Sequence, residues 1–328
     1  MNTLPGRRTI MRLVAAVLGA SSLPIAFAAD PWPTRPVRII VPFAPGGGAD
    51  SSARVLGEQM TAALGQPVIV DNKPGAGSAV GVMAAAQSKD GHTLLMGSNS
   101  MVINPSLNPK IGYDVARDFD AVGMVSEQPL VLVVPSSSSI KSLEDLVAQA
   151  KASPEKLTAG NSGNGTLAHI ASEIFAGQTG IKITPVPYKG ESALMPDLIG
   201  GLVSFGFLNL PSVATHIKSG RLRALAVSSP RPAAELPNVP TLRSLNYPSL
   251  EVQGWAALLA PKGSIPPEGL AKLESLLAKA LASDTVKTRF AAVAVEPVAM
   301  SRQATAQFLQ LEGTRYAEVI KSRGIKAD

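Results

Sequence analysis

The sequence predicts an α/β protein of two lobes, each built on a central sheet, joined by two extended crossings with a cleft between them. Three observations predict it. Short apolar strands alternate with amphipathic helices through glycine-bearing turns, the pattern of a parallel sheet covered on both faces. The alternation runs in two blocks. It is interrupted twice by longer strand-like segments, DFDAVGMVSEQPLVLVVP (118–135) and VQGWAALLAP (252–261). The length, 328 residues, also exceeds what one core comfortably organises.

The first 28 residues stand apart. Arg7, Arg8 and Arg12 precede the apolar run LVAAVLGA, and Ala26 and Ala28 flank Phe27 as a small-residue cleavage site. This pattern predicts a cleaved secretory signal over 1–28, with the mature chain beginning at Ala29 or Asp30. The apolar run is shorter than the ~20 residues that a membrane span needs. Arg7-Arg8 leaves both the general secretory and the twin-arginine routes open. With that segment removed the formal charge falls from +6 to +3, because it holds three arginines and no acids. So small an excess, with no dense Lys/Arg run, gives no case for nucleic acid. Zero cysteines exclude disulfides, thiolate catalysis and a lipid-modified N-terminal Cys. The expected location is the periplasm.

The elements follow in order. VRIIVPF (37–43) reads as a strand, and a helix is expected from about Asp50 to Leu64, its apolar face formed by Ala53, Leu56, Met60 and Ala63 and its end by Gly65. Asp50 or Ser51 is the expected cap. PVIVDN (67–72) and HTLLMGS (92–98) are strands, separated by an alanine-rich helix reaching Asp90-Gly91. After the first crossing, Ser142 and Asp145 have capping-box spacing. The second block then repeats the grammar: KLTAGNS, a helix from Thr166, KITPVPY, a helix near 193–199, VSFGFLNL and RLRALAVSS. After the second crossing, two helices are expected, the last stopped by Lys321, Arg323 and Gly324.

Three turns carry the candidate chemistry: APGGGADS (44–51), NKPGAGS (72–78) and NSGNGTLAH (161–169). Each follows a strand and opens a helix, whose start bears unpaired amides and roughly +0.5 of an elementary charge. No Lys or Arg lies between Arg38 and Arg54, or between Lys156 and Lys182. An anion held by backbone amides, Ser, Thr and Asn is the reading that fits. Alternatively the glycines only make tight turns. Gly163, Gly165 and Ala168 match G-x-G-x-x-A, but the following strand ends in Pro187, Tyr188 and Lys189 with no carboxylate for a ribose. No cofactor is expected. His92, His169 and His216 have no metal spacing, and no G-x-S-x-G elbow is present. His169 reads as a helix residue beside the cleft wall, Asp50 as a cap rather than an acid, and Trp32 and Trp255 as packing residues.

Taken in order, VPFAPGGGAD, VIVDNKPGAG, NSGNGTLAH and VPYKGESALMPDLIGGLVSFGFLNLPS resemble the tripartite tricarboxylate transporter substrate-receptor family, the Bug receptors, over essentially the whole mature chain. The resemblance implies a periplasmic-binding-protein fold of the Venus flytrap, type II-like kind, with a two-strand hinge. Lobe 1 would comprise 29–127 and 253–328, and lobe 2 would comprise 128–252. It implies capture of a small carboxylate, not catalysis. The implied ligand-binding residues are Phe43, Ala44, Gly47, Ala49, Asp50, Ser98 and Asn99 from lobe 1. From lobe 2 they are Ser162, Asn164, Gly165, Thr166, His169, Tyr188, Asp197 and Asn209, with Lys189 and Gly190 beside them. The implied partner is a membrane transporter, or alternatively a sensor kinase, and a monomer is expected of a protein that must hinge. A periplasmic hydrolase is the enzyme alternative. One departure is Leu208, where relatives commonly carry an acid before the asparagine; Ser204 replaces a second. On that basis a plain or more apolar carboxylate is expected rather than an amino-bearing one.

Overall fold

The computed structural model describes residues 32–326; the expected signal segment at 1–28 lies outside them. The first lobe opens with strand β1 (Val37–Val41), helix α1 (Gly48–Leu64), β2 (Val68–Asn72), α2 (Ala79–Ala86), β3 (Thr93–Ser98), α3 (Asn99–Leu107) and the single turn α4 (Val115–Asp118). β1 pairs in parallel with β2 and β3. Gly65 at φ 70° closes α1, a conformation that glycine adopts without a Cβ clash. The alanine-rich helix stops at Ala86, short of Asp90.

β4 (Phe119–Pro135) runs 17 residues without a break. The second lobe follows as α5 (Leu143–Ala152), β5 (Thr158–Asn161), α6 (Leu167–Thr179), β6 (Thr184–Pro187), α7 (Glu191–Ile199), β7 (Phe205–Asn209), α8 (Leu210–Lys218) and β8 (Leu222–Val227). The capping box at the start of α5 is present: Ser142 accepts from the Asp145 amide, and the Asp145 carboxylate accepts from the Ser142 amide. The chain returns through β9 (Gln253–Pro261) and ends with α9 (Pro267–Ala282), α10 (Asp284–Ala292), β10 (Glu296–Met300) and α11 (Arg302–Arg323). Three helices and a strand thus stand where two helices were expected. β10 pairs antiparallel with β4 through a shifted register, and Pro297 within EPVAM hides its strand character.

The sheet order β2-β1-β3-β9-β4-β7-β5-β6 turns on β4. Its first part, up to Pro129, pairs with β9. From Leu130 onward it pairs with β7, and from Val131 with β8. This is the two-lobed periplasmic-binding-protein fold, with a sheet in each lobe and the crossings between them. Ser228 ties the crossings together. Its Oγ accepts from the Leu130 amide at 2.8 Å and donates to the Val252 carbonyl at 2.6 Å.

Apolar packing follows the lobes. Ile39, Leu56, Met60, Leu94, Leu258 and Phe290 fill one side of the lobe 1 sheet. Leu194, Leu198, Leu208 and Val213 fill one side of lobe 2. Phe175 sits edge-on to Phe205, Phe207 and Tyr247 on the other. α11 lays Tyr316 and Ile320 into the core that also contains Val102 and Trp255. No described helix is long and apolar enough to cross a membrane.

Asp90 pins the loop before β3. It accepts from the amides of His92 and Thr93 and from Thr93 Oγ1, each at 2.9 Å, and from Arg38 Nη2 at 3.2 Å. Burial alone pushes its carboxyl up, but the hydrogen bonds from His92, Thr93 and Ser88 outweigh burial and hold it at about 2. A carboxyl lowered in the folded state contributes stability that is complete above its unfolded value, near 3.9, and lost as pH falls toward 2. Asp90→Asn is therefore expected to lower stability by ~1–2 kcal/mol at pH 7, after allowance for partial exposure. Urea unfolding should show that difference shrinking at pH 3.

Candidate functional site

A cavity of ≈ 70 Å³ lies between the lobes. Phe43, Ala44 and Gly47–Asp50 form one wall, from the turn between β1 and α1. Ser162 and Thr166–Ala168 form the facing wall, from the turn between β5 and α6. Ser98–Ser100, Gln128 and Gly254–Ala256 form the floor, and Glu191 and Asn209 close the far side. No Lys, Arg or His lines it.

Each wall is a helix start. The cap of α1 is Gly47, not Asp50 or Ser51. Asp50 lies in the first turn, and its carboxylate is fully engaged. Oδ2 accepts from the Gly46 amide and Arg54 Nε at 3.0 Å each, and Oδ1 accepts from Arg54 Nη2 at 2.9 Å and Asn72 Nδ2 at 3.0 Å. Burial pushes this carboxyl up, but the bonds from Arg54, Gly46 and Asn72 bring it below the usual range. Asp50 thus shapes the loop through its bonds to Gly46, Arg54 and Asn72. The amides of Gly48, Ala49 and Asp50 have no acceptor within the helix.

Thr166 caps α6: its Oγ1 donates to the Gly163 carbonyl at 2.7 Å and accepts from the His169 amide at 3.4 Å. The amides of Leu167 and Ala168 likewise lack helical acceptors. Asn99 is spent on architecture. Its Oδ1 accepts from the Trp255 amide and its Nδ2 donates to the Gln253 carbonyl, both at 3.0 Å, which fixes β9 under the cavity. Trp255 is a packing residue as well as a floor residue, its Nε1 donating to Glu312 Oε2.

The structure brings together Phe43, Ala44, Gly47, Ala49, Asp50, Ser98, Asn99, Ser162, Thr166 and Asn209 around this cavity. Five other candidate residues lie outside its lining. Asn164 and Tyr188 border a neighbouring hollow of ≈ 280 Å³ with Gly75–Ser78 and Lys189. Asp197 accepts from the Tyr188 hydroxyl at 2.6 Å. His169 is buried, its Nδ1 accepting from the Gly165 amide at 3.3 Å, and burial lowers its basicity. Gly165 packs against Asn104 across the lobes. Leu208 is fully buried in the lobe 2 core and does not line the cavity. It is therefore a core residue and not part of this cavity's wall. Gln128, Glu191, Gly254 and Asn104 escaped sequence reasoning. The signal that could have found two of them is polarity: Gln128 interrupts the apolar first crossing, and Glu191 stands just before the helix expected at 193–199. Among the described residues no cluster of His, Asp or Glu could hold a metal ion.

The sequence profile described as the tripartite tricarboxylate transporter family receptor matches residues 52–325. The chain belongs to that family. It is 38% identical over 320 residues to protein BugT of Bordetella pertussis, covering 97% of this chain and 98% of that one. Among solved structures, periplasmic binding protein BugD is 30% identical with TM-score 0.86, over 90% of this chain and 99% of that chain. The R. palustris protein Rpa4515, solved with adipate, is 32% identical with TM-score 0.86 over the same shares. MatC from Rhodopseudomonas palustris, solved with malate, is 26% identical with TM-score 0.82, over 88% of this chain and 100% of that chain. The chain is a receptor of the periplasmic-binding-protein kind.

Glycines let the lobes of this receptor meet. Gly77, at φ +55°, lies so near the facing loop that a Cβ would stand 1.8 Å from the Asn164 carbonyl oxygen. Gly165, at φ +79°, would place its Cβ 1.8 Å from Asn104 Oδ1, while Asn104 Nδ2 donates to the Gly77 carbonyl at 2.7 Å. Gly77→Ala is expected to cost the fold only ~1 kcal/mol through its positive φ, yet to hold the lobes apart. Small-angle scattering should report a larger radius of gyration than wild type; superimposable curves would show that this contact does not limit closure.

Proposed function

We propose that this receptor captures a small carboxylate in the periplasm and presents the closed, liganded form to a tripartite tricarboxylate-type transporter. The observation that carries the reading is the pair of helix starts, 48–50 and 167–168, on opposite walls of a cavity that no basic side chain lines. Two such starts supply unpaired amides and partial positive charge to one anion, and removal from water strengthens those contacts. The adipate bound to Rpa4515 and the malate bound to MatC support a carboxylate. The proposed lobes are 29–127 with 253–328, and 128–252; ligand would bind one lobe and hinge rotation would bring the other onto it. Capture rather than turnover is favoured because no histidine lines the cavity and the Asp50 carboxylate is consumed by Arg54, Gly46 and Asn72. We take the mature receptor to be a monomer released by cleavage of the 1–28 segment.

Thermal denaturation of the mature protein against mono-, di- and tricarboxylates, aromatic acids and amino acids tests this. A ligand at ~100 times its Kd should add about 2.7 kcal/mol of stability. No shift with any acid, after co-purified ligand is stripped, would sink the receptor reading. Thr166→Val should weaken whichever acid binds by about tenfold, since the loop loses the hydroxyl that holds Gly163. Thr166→Ser keeps that hydroxyl and should restore most of the affinity.

A further inference from the structure

The seam beside the cavity is built from glycine backbone and one side chain. Asn104 stands on α3, about one turn beyond Ser100. It is 6% exposed and does not line the cavity. Its Nδ2 donates to the Gly77 carbonyl at 2.7 Å and so holds the loop before α2 in its own lobe. Its Oδ1 is turned to the other lobe. That oxygen occupies the place where a Gly165 side chain would begin, 1.8 Å from a Cβ built there. The same lobe 2 loop lies on Gly77: a Cβ on Gly163 would stand 3.1 Å from the Gly77 Cα.

The lobe 2 side of the seam is held in shape by its own bonds. The Gly163 amide donates to Asn161 Oδ1 at 2.9 Å, Thr166 Oγ1 donates to the Gly163 carbonyl at 2.7 Å, and the Gly165 amide donates to His169 Nδ1 at 3.3 Å. These bonds fix 161–166 to β5 and α6, so the loop moves with its lobe. It ends in Thr166, on the cavity wall. Where the loop lands on Asn104 therefore decides how near that wall stands to the wall formed by the start of α1. Asn104, Gly77, Gly163 and Gly165 all lie outside the cavity lining, so the strength of this contact does not depend on the chemistry of the ligand.

We propose that Asn104 is the positioning residue of closure: it is the seat on which the lobe 2 loop lands, and it holds the closed form together without touching the ligand. A ligand that binds only the closed form has an apparent Kd equal to its intrinsic Kd divided by the closed fraction. Release requires the seat to part. Asn104 thereby raises affinity and slows release for any acid that the cleft accepts. An amide of this length is needed. A shorter side chain gives up the bond to Gly77 and leaves a void against Gly165. A longer one meets the Gly165 backbone before the lobes have closed, because packed interiors leave little slack. The seat follows from the geometry of the seam; its effect on affinity rests on the receptor reading above.

The test is a distance measurement by pulsed electron paramagnetic resonance on protein stripped of co-purified ligand. The chain has no cysteine, so labels go only where they are placed. Val80→Cys and Ala193→Cys put one spin label on an exposed position of each lobe, on α2 and α7. In this background Asn104 is compared with Asn104→Ala and Asn104→Gln. The parent should be dominated by one distance, and both variants should move weight to a second, longer one. Malate and adipate then serve as probes. Whichever binds the parent should bind each variant about tenfold more weakly, through faster dissociation rather than slower association. Asn104→Gln keeps the amide and decides the matter should Asn104→Ala fold poorly. A parent already at the longer distance overturns the inference, as do superimposable distributions in the folded variants. A shifted distribution with probe affinity unmoved overturns it too. If neither acid binds the parent, the carboxylate reading loses its support while the distances still decide the seat.

Discussion

Between Pro129 and Leu130 a single strand changes partners. Residues before that point pair with β9 of one lobe, and residues after it pair with β7 and β8 of the other. Because the strand is continuous, neither sheet can be placed without the other, and the cleft opens where the two diverge. The residues at the change-over, Gln128, Gly254 and Asn209, therefore line the cavity. Ser228 holds the return crossing beside the outgoing one, bonding Leu130 and Val252 at once. The chemistry of the site and the mechanics of the fold meet in these few residues.

Around the cavity, side chains and backbone divide the work. Asp50, Asn99 and Thr166 hold loops, and each spends its polar atoms on neighbouring amides, carbonyls or side chains. The helix-start amides at 48–50 and 167–168 have no acceptor within their helices, and Ser98, Ser100, Ser162 and Gln128 line the same space. Amide donors of this kind do not titrate and need no reorganisation. At the opposite end Glu191 and Asn209 form a hydrogen-bonded pair.

Much of this was legible in the sequence because it depends on local rules. Short apolar runs announced the strands, glycine-bearing turns announced the helix starts, and Ser142 with Asp145 announced a capping box that is present. Two features were not legible for identifiable reasons. β10 is short, carries a proline and pairs with a strand some 170 residues earlier, so no local pattern reports it. Asn104 reads as an ordinary residue before a proline, and only the approach of Gly77 and Gly165 gives it a place in the interface.

By itself the sequence determined the alternation of strands and helices, the two blocks, the absence of thiol chemistry and two of the loops that line the cavity. These follow from residue periodicity, backbone freedom at glycine and the presence or absence of reactive groups, all of which are properties of short segments. Only the tertiary structure decided which side chain of each loop faces the cleft and which is consumed in holding it. Leu208 turns into the core while Asn209 beside it reaches the cavity, because successive side chains on a strand point to opposite faces. Which face is the cleft is set by what packs behind the strand, here Leu194 and Val213, and that is a fact of the assembled lobe.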